Sequence, residues 1–280
     1  MLIRCWGARG SIPVSGKQYE RYGGDSPCME VRDRFGGCLI IDCGTGIRRL
    51  GMRLMQEGIE QIALIMTHFH WDHVLGLPFF RPLYQSSTRI TLYGWPKVQG
   101  NVQEKLFHVM APPHFPVPAR DISARITTVS CEHSSLDLGG LHIETIALNH
   151  PNQGLGFRIT EQGRSFVFLT DNELGKSYEN GSSYARFVDF CQGADLLVHD
   201  GEYTREEYEL TRTWGHSRYE DAVRLAADAR VARLGLFHHN QERSDTDIDR
   251  IVLHCREILA ARGSTVDCFA VAQDMQWTLG

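Results

Sequence analysis

The chain has 280 residues, enough for a full core, with 42% hydrophobic and 22% charged residues, the balance of a soluble globular protein. Its net charge of −5 excludes a broadly basic surface that gathers nucleic acid by charge alone, although bound cations would make a site mouth locally positive. Eight cysteines without a Cys-x-x-Cys pair exclude a dense disulfide framework, and Cys38 and Cys43 beside apolar runs read as buried thiols.

No apolar run approaches the ~20 residues of a membrane-crossing helix, and Met1 to Gly7 has no basic segment followed by a long apolar one. The expectation is a reduced, cytoplasmic protein without membrane contact. With no low-complexity tract, charge block or internal sequence repeat, residues 1–280 read as one domain.

Residues 2–6 predict a first strand, followed by a Gly/Ser/Pro loop. Strands at 28–34 and 38–42 about Gly36-Gly37 predict a hairpin, and an amphipathic helix over 47–56 stops at Gly58. The short apolar run 61–66 predicts a buried strand, and 89–93 another. A helix-compatible piece, 98–109, lies within residues 95–121, where five of the ten prolines fall between 96 and 118. That stretch predicts a stiff, irregular excursion that serves as a rim or lid. Strands at 141–148, 154–160 and 165–169 follow, then a helix at 184–191, a strand at 195–199 and a helix at 217–230. A strand at 233–237, a helix at 245–261 and strands at 266–271 and 275–279 close the chain.

The run 61–66 delivers Thr67-His68-Phe69-His70-Trp71-Asp72-His73, three imidazoles and a carboxylate on a tight loop. Neutral imidazole nitrogens and carboxylate oxygens are natural ligands of zinc-like ions. The spacing lets His68 and His70 face one ion while Asp72 and His73 turn toward a second. Further ligands are sought just past other strand ends, where His150, Asp171 and His238 each follow an apolar run. His239 competes with His238, which comes directly off its strand. His133, His142, His199 and His254 are assigned to structure, with His199-Asp200-Gly201-Glu202 singled out as a group that orients a ligand.

His68-x-His70-x-Asp72-His73 resembles the signature of the metallo-β-lactamase superfamily, whose motifs recur in order along the chain. The resemblance implies an α/β (α+β) four-layer αβ/βα sandwich and a dinuclear centre: His68, His70 and His150 on one ion, Asp72, His73 and His238 on the other, Asp171 bridging. It implies two divalent ions, zinc first, with manganese or iron as alternatives. Trp214-Gly215-His216-Ser217 is similar to the Gly-His-Ser motif of the ribonuclease Z, PhnP-type and class II-like cyclic-nucleotide phosphodiesterase branch, in which the histidine is catalytic and not a ligand. Asp25-Ser26-Pro27 and His150-Pro151-Asn152-Gln153-Gly154 depart from that branch's pattern, the latter from a glycine-richer one.

These motifs imply a metallo-hydrolase, a phosphodiesterase acting on a small phosphodiester such as a cyclic nucleotide through a metal-bridging hydroxide, with Asp72 and His216 in catalytic roles. The alternatives are a ribonuclease Z-like nuclease, a lactonase or thioesterase, and a catalytically silent metal-binding sensor. No counterpart of ribonuclease Z's long tRNA-clasping arm is visible, so tRNA is disfavoured as a substrate; a small phosphodiester or nucleotide is expected, and a homodimer is allowed.

Overall fold

In the computed structural model, which describes residues 1–280, the chain forms two seven-stranded sheets packed face to face with helices outside. The first half supplies β1 (Leu2–Gly7), β2 (Cys28–Arg32), β3 (Cys38–Ile41), α1 (Ile47–Glu57), β4 (Gln61–Ile65), α2 (Trp71–Val74) and β5 (Arg89–Gly94). Two short helices, α3 (Pro96–Gln99) and α4 (Val102–Phe107), lead to β6 (Arg125–Ser130). The second half runs β7 (Ser135–Leu138), β8 (Leu141–Ala147), β9 (Leu155–Glu161), β10 (Arg164–Leu169), α5 (Tyr184–Cys191), β11 (Leu196–Asp200) and α6 (Arg205–Thr211). It ends with α7 (Tyr219–Asp228), β12 (Arg233–Phe237), α8 (Asp245–Ala261), β13 (Asp267–Ala270) and β14 (Gln276–Thr278).

The sheets have matching layouts. One is ordered β14-β1-β2-β3-β4-β5-β6 and the other β13-β12-β11-β10-β9-β8-β7. Each has an antiparallel part, β14 to β3 or β7 to β10, and a parallel part, β3 to β6 or β10 to β13. The halves therefore repeat in architecture although no sequence repeat is visible.

Central strands are buried on both faces, so they read as continuous apolar runs and not as alternations. Along β10, Phe166 and Phe168 enter the layer between the sheets with Leu39, Ile41, Phe157 and Phe237, while Val167 and Leu169 face α5, α7 and α8. Across the other sheet, Ile40, Ile62 and Leu64 pack beneath Leu50 and Leu54 of α1. A fully buried phenylalanine of this kind contributes about 2 kcal/mol. The expected four-layer αβ/βα sandwich is the fold observed. No helix is long and apolar enough to cross a membrane.

The single helix expected at 98–109 is replaced by α3 and α4, split at Gly100 (φ 66°), with a cap from Asn101 to the Glu104 N–H. Val102, Leu106 and Met110 are buried, so the proline-rich excursion is anchored to the outer core. The strands β6 and β7 and the helix α6 were not expected. Most of Arg125–Ser130 is exposed, so β6 lacks the buried face that makes a strand legible.

Parallel strands running the same way collect their C-terminal ends along one edge. From that edge come the loop after β4, the residues after β10, β11 and β12, and the turn after β8. Open α/β sheets place ligand sites at such strand ends.

Candidate metal centre

The structure brings all seven expected ligands together. Donor atoms of His68, His70 and His150 lie within 4.8 Å of one another, as do those of Asp72, His73, Asp171 and His238. Asp171 lies between the groups: its Oδ1 is 3.6 Å from His68 Nε2, 4.0 Å from His150 Nε2 and 3.3 Å from His238 Nε2. Its Oδ2 is 3.3 Å from His73 Nε2. Asp72 Oδ2 is 3.0 Å from His238 Nε2 and accepts the backbone N–H of Ser11 at 2.9 Å. His239 turns away, its Nε2 donating to the carbonyl of Val271 at 2.8 Å.

A further shell of acceptors fixes the rings. His73 Nδ1 donates to Asp42 Oδ2 at 2.8 Å, His150 Nδ1 to the Gly215 carbonyl at 2.9 Å, and His238 Nδ1 to Glu202 Oε2 at 2.8 Å. Thr67 Oγ1 donates to Asp42 Oδ2 at 2.7 Å, which leaves it to accept from His68 Nδ1 at 3.0 Å. Four imidazoles are thus held with Nδ1 outward and the Nε2 lone pair turned to the centre, the usual way a protein prepares histidine for a metal. His70 is the exception, with only His150 Nε2 (3.0 Å) and Asn152 Nδ2 (3.3 Å) beside it.

Two of these atoms, His68 Nε2 and His73 Nε2, are buried without any hydrogen-bond partner. Such orphaned groups are costly unless something else satisfies them. Burial would raise the Asp171 carboxyl, but His238, His73 and His68 hold it well below the usual carboxylate range. Burial would likewise lower His73 and His238, yet Asp171 and its neighbouring carboxylates push both well above the ordinary imidazole value. The carboxylate-bearing half of the centre therefore favours positive charge, whereas burial keeps His68, His70 and His150 neutral, and in both halves the imidazole lone pairs suit a divalent cation. The donor set fits the metals that the superfamily binds.

His216 sits beside this cluster. Its ring stacks on His238 (centroids 4.7 Å, planes 19° apart) and its Nδ1 is 3.4 Å from Glu202 Oε2 and 3.6 Å from Asp200 Oδ2. Burial opposes its charge, but Glu202 and Asp200 push its pKa up to about 9. The loop that carries it is closely fitted. Gly215 has φ 93°, and a Cβ there would lie 2.0 Å from His150 Nδ1, so no other residue fits. Gly10 is confined too, since a Cβ would come within 2.2 Å of His238 Nδ1.

Sequence reasoning missed two carboxylates, Asp42 and Glu173. Asp42 follows β3, so a search of every parallel strand end would have found it. Glu173, completely buried, accepts from the Tyr208 and Tyr178 hydroxyls and from the backbone N–H groups of Thr213 and Gly215. The group His199-Asp200-Gly201-Glu202 does support the cluster, through Asp200 and Glu202; His199 itself bonds Asn172 and the Asp200 carbonyl. Asp42, Asp171 and His238 all have positive φ (66°, 56° and 56°). Such strain in non-glycine residues persists where the surroundings impose it, commonly at functional sites.

The model of the beta-lactamase superfamily domain matches residues 38–239, most of the chain and every residue of the cluster. The chain belongs to the metallo-β-lactamase superfamily. Among sequence relatives, a protein named Ribonuclease Z from Thermoplasma acidophilum is 23% identical, aligned over 75% of this chain and 79% of its own length. Three solved structures share the fold. The metallo-β-lactamase fold protein YhfI of Bacillus subtilis has TM-score 0.71 at 18% identity, covering 99% of this chain and 98% of its own. A diphosphatase of the PhnP family has 0.68 at 18%, covering 100% and 98%. The short form of human tRNase Z has 0.64 at 20%, covering 100% of both chains.

The expectation of a metallo-hydrolase of this superfamily holds. The expectation that disfavoured tRNA does not. Relatives named Ribonuclease Z align over most of this chain, and the short human tRNase Z covers it end to end.

Proposed function

We propose that this chain is a dinuclear metal-dependent phosphodiesterase, with zinc the first candidate metal. His68, His70 and His150 would hold one ion and Asp72, His73 and His238 the other, with Asp171 between them. Bound there, such ions lower the pKa of water and offset the charge that builds on phosphoryl oxygens.

The observation that carries the reading is a buried imidazole beside the cluster, its Nδ1 3.4 Å from Glu202 and 3.6 Å from Asp200, that the seven-residue ligand set does not include. Those carboxylates favour the protonated form of His216. Its Nδ1 faces those carboxylates, which leaves Nε2 to give a proton to a departing alkoxide. Glu202 fixes the His238 ring through Nδ1 while sharing the charge of His216. The Ser11 N–H and His238 hold the Asp72 carboxylate in place as the catalytic carboxylate of the first loop. A silent sensor would have no use for His216.

A second reading, a nuclease that processes RNA, is favoured by the relatives named Ribonuclease Z. One experiment separates the two. Metal-reconstituted protein is assayed against bis(p-nitrophenyl) phosphate, cyclic mononucleotides, a dinucleotide and a tRNA precursor. Cleavage of the small diesters supports the first reading, and cleavage confined to the precursor supports the second. No cleavage of any of them overturns both.

A further inference from the structure

A cleft of about 170 Å³ opens beside the metal-type cluster and shares His68 and His70 with it as walls. Its other lining includes Phe69, Lys105, Asn152 and Gln153. The Lys105 ammonium lies 5.6 Å from the centroid of the Phe69 ring. An aromatic face attracts and steadies a cation but does not neutralise it. Lys105 is exposed and forms no salt bridge within 4.0 Å, so its charge at the wall of the cleft is paired with no carboxylate.

Also lining the cleft, Asn152 and Gln153 are consecutive residues with φ 64° and 68°, a conformation that favours glycine. Both side chains are exposed at the cleft, and Asn152 Nδ2 lies 3.3 Å from His70 Nε2. The turn thus keeps two amide side chains in a strained backbone where glycine would be easier, next to an unpaired cation. Amide donors and an ammonium around one opening suit an oxyanion.

We propose that this cleft is a subsite for a second phosphate group of the substrate, adjoining the scissile diester and bound by Lys105 with Asn152 and Gln153. The proposal rests on the phosphodiesterase reading and deepens it. It selects substrates in which a further phosphate neighbours the cleaved one, as along an oligonucleotide, over cyclic mononucleotides that carry a single phosphate.

The test compares an unphosphorylated dinucleotide with the same dinucleotide carrying a terminal phosphate at its 5′ or its 3′ end, using metal-loaded protein. One of the two phosphorylated forms should have a KM lower by roughly threefold to tenfold, the effect of one partly exposed ion pair with hydrogen bonds. That preference should shrink at high ionic strength, because the charge is screened. It should vanish in Lys105→Ala. In the double variant Asn152→Gly with Gln153→Gly it should weaken while Tm stays level or rises, since glycine relieves the strained turn.

Equal KM values in the wild type, or a preference that survives in Lys105→Ala, overturn the subsite while diester cleavage stands. If the protein cleaves no diester, the phosphodiesterase reading falls, and affinity decides the subsite alone. A phosphorylated dinucleotide must then still bind the wild type more tightly than its unphosphorylated form, and Lys105→Ala must abolish the difference. If it does not, the subsite is overturned as well.

Discussion

The backbone N–H of Gly215 donates to Glu173 Oε2 at 3.1 Å, which ties the loop carrying His216 to the loop that follows Asp171. Glu173 Oε1 holds the Thr213 N–H of the same loop at 3.0 Å, and the Gly215 carbonyl accepts from His150 Nδ1. One buried carboxylate therefore positions His216 without touching the cluster. An amide in its place would set an NH₂ against the Thr213 or Gly215 N–H, which cannot accept.

Glu173→Gln should thus lower kcat by about tenfold, and cost about 1–3 kcal/mol of stability from one or two buried donors left unpaired. Measured on diesters with poor leaving groups, the kinetic loss should largely disappear when His216→Ala is already present, because the two act as one unit. Additive losses would show that Glu173 supports the fold and not the position of His216.

Asp33 links the two sheets at the far end of the molecule. Its carboxylate accepts from the N–H groups of Phe35 (2.9 Å) and Gly37 (2.7 Å) in the β2–β3 turn, and of Gly140 (3.0 Å) in the β7–β8 turn. Burial opposes the charge, but these three donors hold the carboxyl below its ordinary value. A depressed pKa in the folded state means stability that is present above the unfolded value and lost as pH falls through the folded one. Asp33→Ala should therefore lower stability at neutral pH by roughly 1–3 kcal/mol. The gap to the wild type, followed by denaturant titration, should close as pH drops below about 4, the ordinary aspartate value. A gap independent of pH would deny the charge any part.

All seven proposed ligands were legible because they obey one rule: each follows a short apolar run that becomes a buried strand or its edge. The run 61–66 became β4, and Asp171 and His238 leave β10 and β12 directly. Asp42 obeys the same rule after β3 but stands alone, with no nearby histidine in sequence to draw attention to it. Its partners, His73 and Thr67, come from the next parallel strand, a relationship that exists only after the sheet forms. Glu173 was illegible for a similar reason. Its donors come from residues 178, 208, 213 and 215, brought together from two separate loops and helix α6. The outer strand β6 escaped because it is mostly exposed and carries no sustained alternation, and β7 because its alternation, Ser-Leu-Asp-Leu, lasts only four residues.

Asp171 is the residue on which both donor groups converge, so Asp171→Ala should cost metal as well as rate. Reconstituted wild type is expected to hold close to two divalent ions per chain by elemental analysis. The variant should hold at least one fewer, with turnover down by roughly 100-fold or more. Chelation of the wild type should also lower its Tm, since ions that bind the folded chain stabilise it by mass action. A variant that keeps its full metal content and near wild-type turnover would reduce Asp171 to a turn residue.

His216→Ala should separate chemistry from metal binding. The ring lies against His238, but its Nδ1 faces Glu202 and Asp200, and neither the His68-His70-His150 group nor the Asp72-His73-Asp171-His238 group includes it. Its removal should leave metal content unchanged and reduce kcat by about 10²–10⁴-fold, with a smaller change in KM. The loss should be least for p-nitrophenolate, which departs without a proton, and greatest for a nucleoside alkoxide, which needs one. Loss of a metal equivalent would make His216 a ligand. An equal loss for both leaving groups would assign it to binding the phosphoryl oxygens, because only a proton donor senses the basicity of the group that leaves.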